Sequence, residues 1–181
     1  MLFRSRGSYN RCGAARLYEP RASSPLDNAR SLYNQYQLML GTTAQRGPIA
    51  GHSLIHMWGL FAGQDYKKDQ MIVEYQGEVI QQPLPDWHER RYEALDIDSC
   101  YMFMVGQRLF VDSTIKGNAS RFINHSCDPN CYTRILDGKI IIFAKHAIAQ
   151  GSELTYDYCF STEEERITCT CGAEKCSGRL N

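Results

Sequence analysis

Residues 117–131 read Gly117-Asn118-Ala119-Ser120-Arg121-Phe122-Ile123-Asn124-His125-Ser126-Cys127-Asp128-Pro129-Asn130-Cys131. Turn-forming Asn, Ser, Asp and Pro surround a single apolar pair, Phe122-Ile123, so the stretch predicts a structured loop rather than a helix. It carries His125 and Cys127 where a turn can expose them, whereas Cys131 enters the next apolar run. Outward on both sides the pattern is short β. Residues 132–136 and 139–144 flank Asp137-Gly138, suited to a type I′ hairpin, and residues 101–105 and 108–111 flank Gly106-Gln107, suited to type II′. Further strands are predicted at 71–75, 78–80 and 153–158, with one internal helix at 86–95. The whole from Ile49 onward is mainly β, an irregular assembly of short strands rather than a bundle or a parallel βαβ sheet.

The chain has 181 residues, of which 43% are hydrophobic, enough for one core of ordinary size. Its longest apolar run, residues 140–144, is far too short to cross a bilayer, so no membrane association is expected. Twenty basic residues balance twenty acidic ones, which excludes bulk electrostatic wrapping of nucleic acid. Arg4, Arg6, Arg11, Arg16, Arg21 and Arg30 crowd the first thirty residues among Ser, Gly and Pro, which predicts a mobile arm. A short helix is expected after it, capped by Asp27, with Leu32, Tyr36 and Met39 or Leu40 on one face and Gly41 as its stop. The expected organisation is an arm and flanking helix over 1–48, a mainly β body over 49–163 with a helical insertion at 81–98, and a cysteine segment over 164–181.

Eight cysteines without a preceding secretory signal favour a metal site over a disulfide framework. Cys169, Cys171 and Cys176 follow C-x-C-x4-C on a segment with too few apolar residues to fold alone. Three thiolates fall one short of a closed tetrahedral zinc set. Cys127, Cys131, Cys159 and His125 are the candidates for the fourth ligand, and Cys127 is the best placed because its loop can present the thiol. The tail and the 124–127 loop are therefore expected to be neighbours.

The run 117–131 resembles the SET-domain protein lysine methyltransferases. The resemblance extends to Glu153-Leu154-Thr155-Tyr156-Asp157-Tyr158, Trp58-Gly59-Leu60-Phe61-Ala62, Cys100-Tyr101-Met102-Phe103 and a cysteine tail ending Arg179-Leu180-Asn181, like the family's post-SET segment. Within the family it is nearest the trithorax and MLL-type enzymes, whose substrate is the lysine at position four of histone H3. The resemblance implies small sheets around a pseudoknot-like core, a zinc-bound post-SET tail, and S-adenosylmethionine as methyl donor. It further implies a histone H3 tail peptide as acceptor, accessory subunits contacting the 81–98 insertion, and residence in the nucleus.

By the same resemblance Tyr158 takes the catalytic position near the methyl group, Tyr101 orients the lysine, and Tyr156 limits how many methyls fit. His56, Trp58, Asn124, His125 and Thr170, with Tyr101 and Tyr158, match the cofactor-binding positions. Such residues suit the chemistry, since a tyrosine offers an apolar wall, a face for a cation and one directed hydroxyl. One position departs from the family: Gly-x-Gly often precedes the Leu-Phe pair, but here Met57 replaces the first glycine. If that position needs positive φ, a methionine costs about 1 kcal/mol or more. Two other readings compete. One is a catalytically silent chromatin-interaction module that keeps the fold and the zinc; the other is a thiol hydrolase built on Cys127 and His125.

Overall fold

In a computed structural model, the residues described are 10–11, 25–97, 99–105, 108–160 and 167–180, with side chains from Ser31 onward. The expected arm lies mostly outside them. Within it, β1 (Asn10–Arg11) pairs in parallel with β6 (Met102–Met104).

Among the described residues, three small sheets form the body. The first has the order β1-β6-β7-β5, with β7 (Leu109–Asp112) and β5 (Glu78–Gln81). The second is β4-β10-β9, from Met71–Tyr75, Lys139–Ala144 and Cys131–Leu136. The third is β2-β3-β11-β8, from Ile49–His52, Trp58–Phe61, Glu153–Tyr156 and Asn124–His125. The mainly β fold expected of the SET family is thus the observed one. The β9–β10 hairpin turns through Asp137 and Gly138 at φ 48° and 77°, both left-handed as a type I′ turn requires. The β6–β7 hairpin is also present, although its tip, residues 106–107, lies outside the described residues.

β10 is the centre of the core. Ile140, Ile142 and Ala144 face a cluster with Leu60, Ile72, Phe103 and Leu154, while Ile141 and Phe143 point the other way toward Met39 and Met71. That alternation follows from the period of two along a strand buried on both faces. The second face is covered by α1 (Pro25–Arg46). Here the helix differs from expectation: it is already running at Pro25, so Asp27 is not its cap, and it passes through Gly41 to end before Gly47. A mid-helix glycine costs only about 1 kcal/mol, and anchors on both sides of it outweigh that. Tyr36 Oη donates to Glu74 at 2.6 Å and Thr43 Oγ1 to the Ile72 carbonyl at 3.3 Å.

The internal helix α2 (Leu84–Ala94) begins two residues earlier than expected, with Pro85 in its first turn where a missing N–H is harmless. β11 stops at Tyr156, short of the expected Tyr158, because the chain turns there: the Tyr158 N–H leaves the sheet for His125 Nδ1 at 3.2 Å, and Cys159 has φ 52°. The decisive link for the site is the parallel pairing of β8 with β11, which sets Asn124 opposite Thr155 and His125 opposite Tyr156.

Candidate active site

Two sequence-distant runs thus lie side by side, and a cavity of about 200 Å³ opens beside them. His56 from the β2–β3 connection and Trp58 at the start of β3 line it, as do Asn124 and His125 from β8, Tyr101 before β6, Tyr156 at the end of β11, Tyr158, and Thr170 of the tail. All eight non-cysteine positions singled out in the sequence therefore border one space. Cys169 and Cys171 contribute to its wall as well.

Tyr156 and Tyr158 belong to one aromatic group, while the Tyr101 ring lies edge-on to Phe122 at 6.0 Å. The rings of Tyr156 and Tyr158 have centroids 5.1 Å apart, and Tyr158 lies edge-on to His125 at 5.4 Å and to Phe160 at 5.4 Å. Tyr158 Oη donates to the Ile123 carbonyl at 2.8 Å. Burial pushes its ionisation well above the ordinary phenol range, so the hydroxyl is a neutral, directed group. Tyr101 is held through its backbone: its N–H donates to Thr114 Oγ1 at 2.9 Å, and its carbonyl accepts from Ser113 N at 2.8 Å and Tyr75 Oη at 3.2 Å.

Asn124 acts inward. Its side-chain amide lies within donating distance of the Trp58 carbonyl (2.9 Å), Glu153 Oε1 (2.9 Å), Ser53 Oγ (3.1 Å) and the His56 carbonyl (3.4 Å). Ser53 Oγ in turn donates to Glu153 Oε1 at 2.7 Å and accepts from the Ile55 N–H at 2.9 Å. Ser53 and Glu153 were missed by the sequence reading. Glu153 opens a run already singled out, and Gly59 is the trace of the contact, since a Cβ there would sit 2.5 Å from Glu153 Oε1. Met57, in the same loop, has φ 35°, so the glycine-like conformation feared from the sequence is the one adopted.

His125 accepts the Tyr158 N–H at Nδ1, which assigns the ring proton to Nε2, facing Cys127 Sγ at 3.4 Å. Burial holds its protonation below the usual histidine range, with Asp157 opposing. The ring is neutral and fixed at both nitrogens.

The four cysteines chosen from sequence come together. The sulfurs of Cys127, Cys169, Cys171 and Cys176 lie within 4.8 Å of one another, with Cys127 at 3.8 Å from Cys169 and 3.9 Å from Cys176. Zinc–thiolate bonds of about 2.3 Å in a tetrahedron put sulfurs about 3.8 Å apart, so the set fits a structural metal. Backbone N–H groups of Cys127 and Gly178 donate to Cys171 and Cys176, as thiolates require. Burial opposes ionisation of the Cys171 thiol, yet the Cys127 and Ala173 backbone N–H groups, with the Cys169 and Cys176 thiols, pull it down to about 6. This arrangement disfavours the hydrolase reading, because Cys127 Sγ is surrounded by sulfur rather than facing the cavity with a free base. Thr170, between the first two tail ligands, donates to the Ile55 carbonyl at 3.0 Å and ties the tail to the loop carrying His56.

Residues 57–159 match the SET domain family. Over 133 residues, 71% of this chain, it is 49% identical to the histone-lysine N-methyltransferase trithorax of Drosophila virilis. Over the same length it is 45% identical to the histone-lysine N-methyltransferase SETD1 of Drosophila melanogaster and 47% identical to SETD1B of Homo sapiens. The aligned part spans 3%, 8% and 7% of those proteins, so the chain corresponds to less than a tenth of each.

Proposed function

The chain belongs to the SET-domain family, and on that footing we propose that it is a histone-lysine N-methyltransferase using S-adenosylmethionine, with the lysine at position four of histone H3 as its acceptor. The observation that carries this reading is the continuity of one cavity from Asn124, His125 and Thr170 to Tyr101, Tyr156 and Tyr158. The bound donor supplies an electrophilic methyl group on a sulfonium. This chain's own contribution is position and environment. Holding two reactants aligned near contact distance is worth roughly 7 to 11 kcal/mol.

The acceptor must arrive as a neutral amine, although free lysine has a pKa of about 10.4. Apolar aromatic walls disfavour the ammonium, so no strong base is needed. Tyr158, neutral and tethered to the Ile123 carbonyl, orients the amine rather than deprotonating it. Tyr101 supplies the orienting wall, and Tyr156, buried beside Tyr158, limits the space for successive methyls. His56, Trp58, Asn124, His125 and Thr170 hold the donor, Asn124 chiefly by fixing the 53–58 loop. One zinc ion on Cys127, Cys169, Cys171 and Cys176 fixes the tail that closes this end. In this reading 49–163 is the catalytic body and 164–181 its metal-held closure. The 81–98 insertion receives accessory subunits, and the work is nuclear because the substrate is.

Radiolabelled methyl transfer to a panel of histone tail peptides tests the reading; no transfer to any of them, with or without candidate partner proteins, overturns it. The left-handed Met57 gives a specific reason to weigh the silent-module alternative. Calorimetric titration with S-adenosylmethionine separates the two, since that alternative predicts no binding.

A further inference from the structure

Resting on that reading, we propose that Arg121 is a positioning residue for methyl transfer, its guanidinium clamping the Tyr101 ring that orients the acceptor lysine. Arg121 and Phe122 end a single 3-10 turn, Ala119–Phe122, and both line the cavity. The turn is fixed at its start. Asn118 accepts the Ser120 N–H at 3.3 Å and donates its side-chain amide to the Glu74 carbonyl at 2.8 Å, which ties the turn to β4.

From there Arg121 reaches away from its own turn. Its Nη1 donates to the Ser113 carbonyl at 3.1 Å and to the Thr114 carbonyl at 3.4 Å. Tyr101 stands on the same two residues: its N–H donates to Thr114 Oγ1 at 2.9 Å, and its carbonyl accepts the Ser113 N–H at 2.8 Å. The backbone of the tyrosine and the cation beside its ring are thus held by one platform. Arg121 Cζ lies 5.8 Å from the Tyr101 ring centroid and 4.8 Å from that of Phe122, and the two rings meet edge-on at 6.0 Å. A cation over an aromatic face is attracted by the ring quadrupole, and the planar guanidinium adds stacking that an ammonium lacks. Tyr101 is therefore constrained at its backbone and at its ring.

Stability alone does not call for arginine here. The residue is half-buried, and its Nε–H is enclosed without a hydrogen-bond partner among the described residues. A buried donor left unpaired opposes folding. Methionine, unbranched and apolar, would remove that unpaired donor together with the two carbonyl bonds, two effects of opposite sign and similar size. Fold and function can thus be separated at this position. The donor end is held independently. Phe122 also faces Trp58, tilted at 6.2 Å, but Trp58 is fixed through its carbonyl by Asn124 at 2.9 Å.

The experiment uses the full chain as wild type, Arg121→Met, Arg121→Lys, Tyr101→Leu and the double variant of Arg121→Met with Tyr101→Leu. Methyl transfer to a histone H3 tail peptide gives kcat and KM, anisotropy of the labelled peptide gives its affinity, calorimetry that of S-adenosylmethionine, and thermal melting the stability. The Tyr101 ring is followed by nuclear magnetic resonance of isotope-labelled tyrosine, its signal identified by its loss in Tyr101→Leu. In Arg121→Met, kcat should fall about tenfold while peptide and donor affinities stay within about twofold, with melting little changed and the Tyr101 signal displaced. Arg121→Lys, which keeps the charge but not the planar stack, should recover part of kcat. The double variant should be about as slow as Tyr101→Leu alone, since the ring through which Arg121 acts is gone. An Arg121→Met chain that unfolds, or that loses donor and peptide affinity together, overturns the assignment, and so does a full tenfold loss added to that of Tyr101→Leu. Wild type that transfers no methyl, with the ring signal still displaced in Arg121→Met, defeats the methyltransferase reading and leaves the clamp in place. Undiminished transfer by Arg121→Met does the reverse.

Discussion

Removal of the metal should melt the tail and leave the body folded, and the size of the effect follows from what the tail contains. Among residues 167–180 only Ile167 and Cys169 are buried. Ordering these residues costs about 1 kcal/mol each in backbone entropy, on the order of 14 kcal/mol. Against this stand the burial of Ile167, about 2 to 3 kcal/mol, and a handful of hydrogen bonds. These are Cys169 N to Gly178 O, Cys176 N to Ala173 O, Leu180 N to Ile167 O, Thr170 to Ile55 O and Ser177 to Arg179 O, together about 5 kcal/mol. The deficit is about 6 to 7 kcal/mol, which a structural zinc worth about 10 to 16 kcal/mol more than covers. Hydrogen exchange read by mass spectrometry, with and without a strong zinc chelator, measures this directly. Amides of the tail should lose protection after chelation, while those of β10 keep theirs. Donor affinity should fall in parallel, since Thr170 and Cys171 leave the cavity wall. A tail that stays protected in metal-free protein would refute the reasoning, and so would a wild type that contains no metal by elemental analysis.

Tyr158→Phe should lower methyl transfer by two orders of magnitude or more, with folding cost limited to about 1 kcal/mol for the bond to Ile123; near-normal turnover would remove Tyr158 from its role. Tyr156→Phe should shift products toward higher methylation states, seen by mass spectrometry of the peptide, and an unchanged pattern would count against a space-limiting hydroxyl. Met57→Gly should relieve about 1 kcal/mol of backbone strain, offset in part by glycine's chain entropy, so stability changes little and donor affinity holds or improves; a tenfold weaker titration would contradict this. At Glu74, burial pushes the carboxyl up but donors from Tyr36, Lys139 and Gln76 outweigh it, leaving the group below its ordinary range. The docking of α1 should therefore be at full strength above about pH 4.3 and weaken as pH falls through the lowered value. Denaturant titration of wild type and Glu74→Gln should converge in acid and separate near neutrality.

The sequence made local features legible and left their assembly dark. Asp137-Gly138 announces its hairpin because both residues tolerate positive φ and the strands adjoin. The cysteine quartet was readable by valence, since three clustered thiolates need a fourth, and of the candidate cysteines Cys127 was the one in an accessible turn. What failed was where tertiary contacts override propensity: Gly41 should end α1, but Tyr36, Met39 and Thr43 anchor the helix on both sides of it. The tyrosine positions were not readable from composition, because eleven tyrosines make any single one an ordinary strand residue. Motif resemblance singled out Tyr101, Tyr156 and Tyr158, and the parallel pairing of β8 with β11 explains physically why the motif and the second run occur together. Ser53 and Glu153 escaped because their partners lie far away in sequence, 100 residues apart in the case of their mutual bond.

That long-range knot also explains how an unfavourable residue persists at the mouth of the site. A methionine at φ 35° survives only where its surroundings leave the loop no alternative. Ser53 Oγ caps the Ile55 and His56 N–H groups, the Ser53 N–H closes on the Met57 carbonyl at 3.1 Å, and Asn124 grips the Trp58 carbonyl from the other side. Glu153 joins Ser53 to Asn124 and occupies the space that only Gly59 leaves open. Several hydrogen bonds of about 1 kcal/mol each, partly shielded from water, exceed the strain at Met57. The loop that carries His56 and Trp58 is therefore fixed before any ligand arrives, and the side chain of Asn124 serves the cavity by shaping its wall. Removing Glu153 should loosen that wall more than removing Met57 tightens it, because the carboxylate accepts from two partners while the methionine side chain, 57% exposed, makes no hydrogen bond among the described residues.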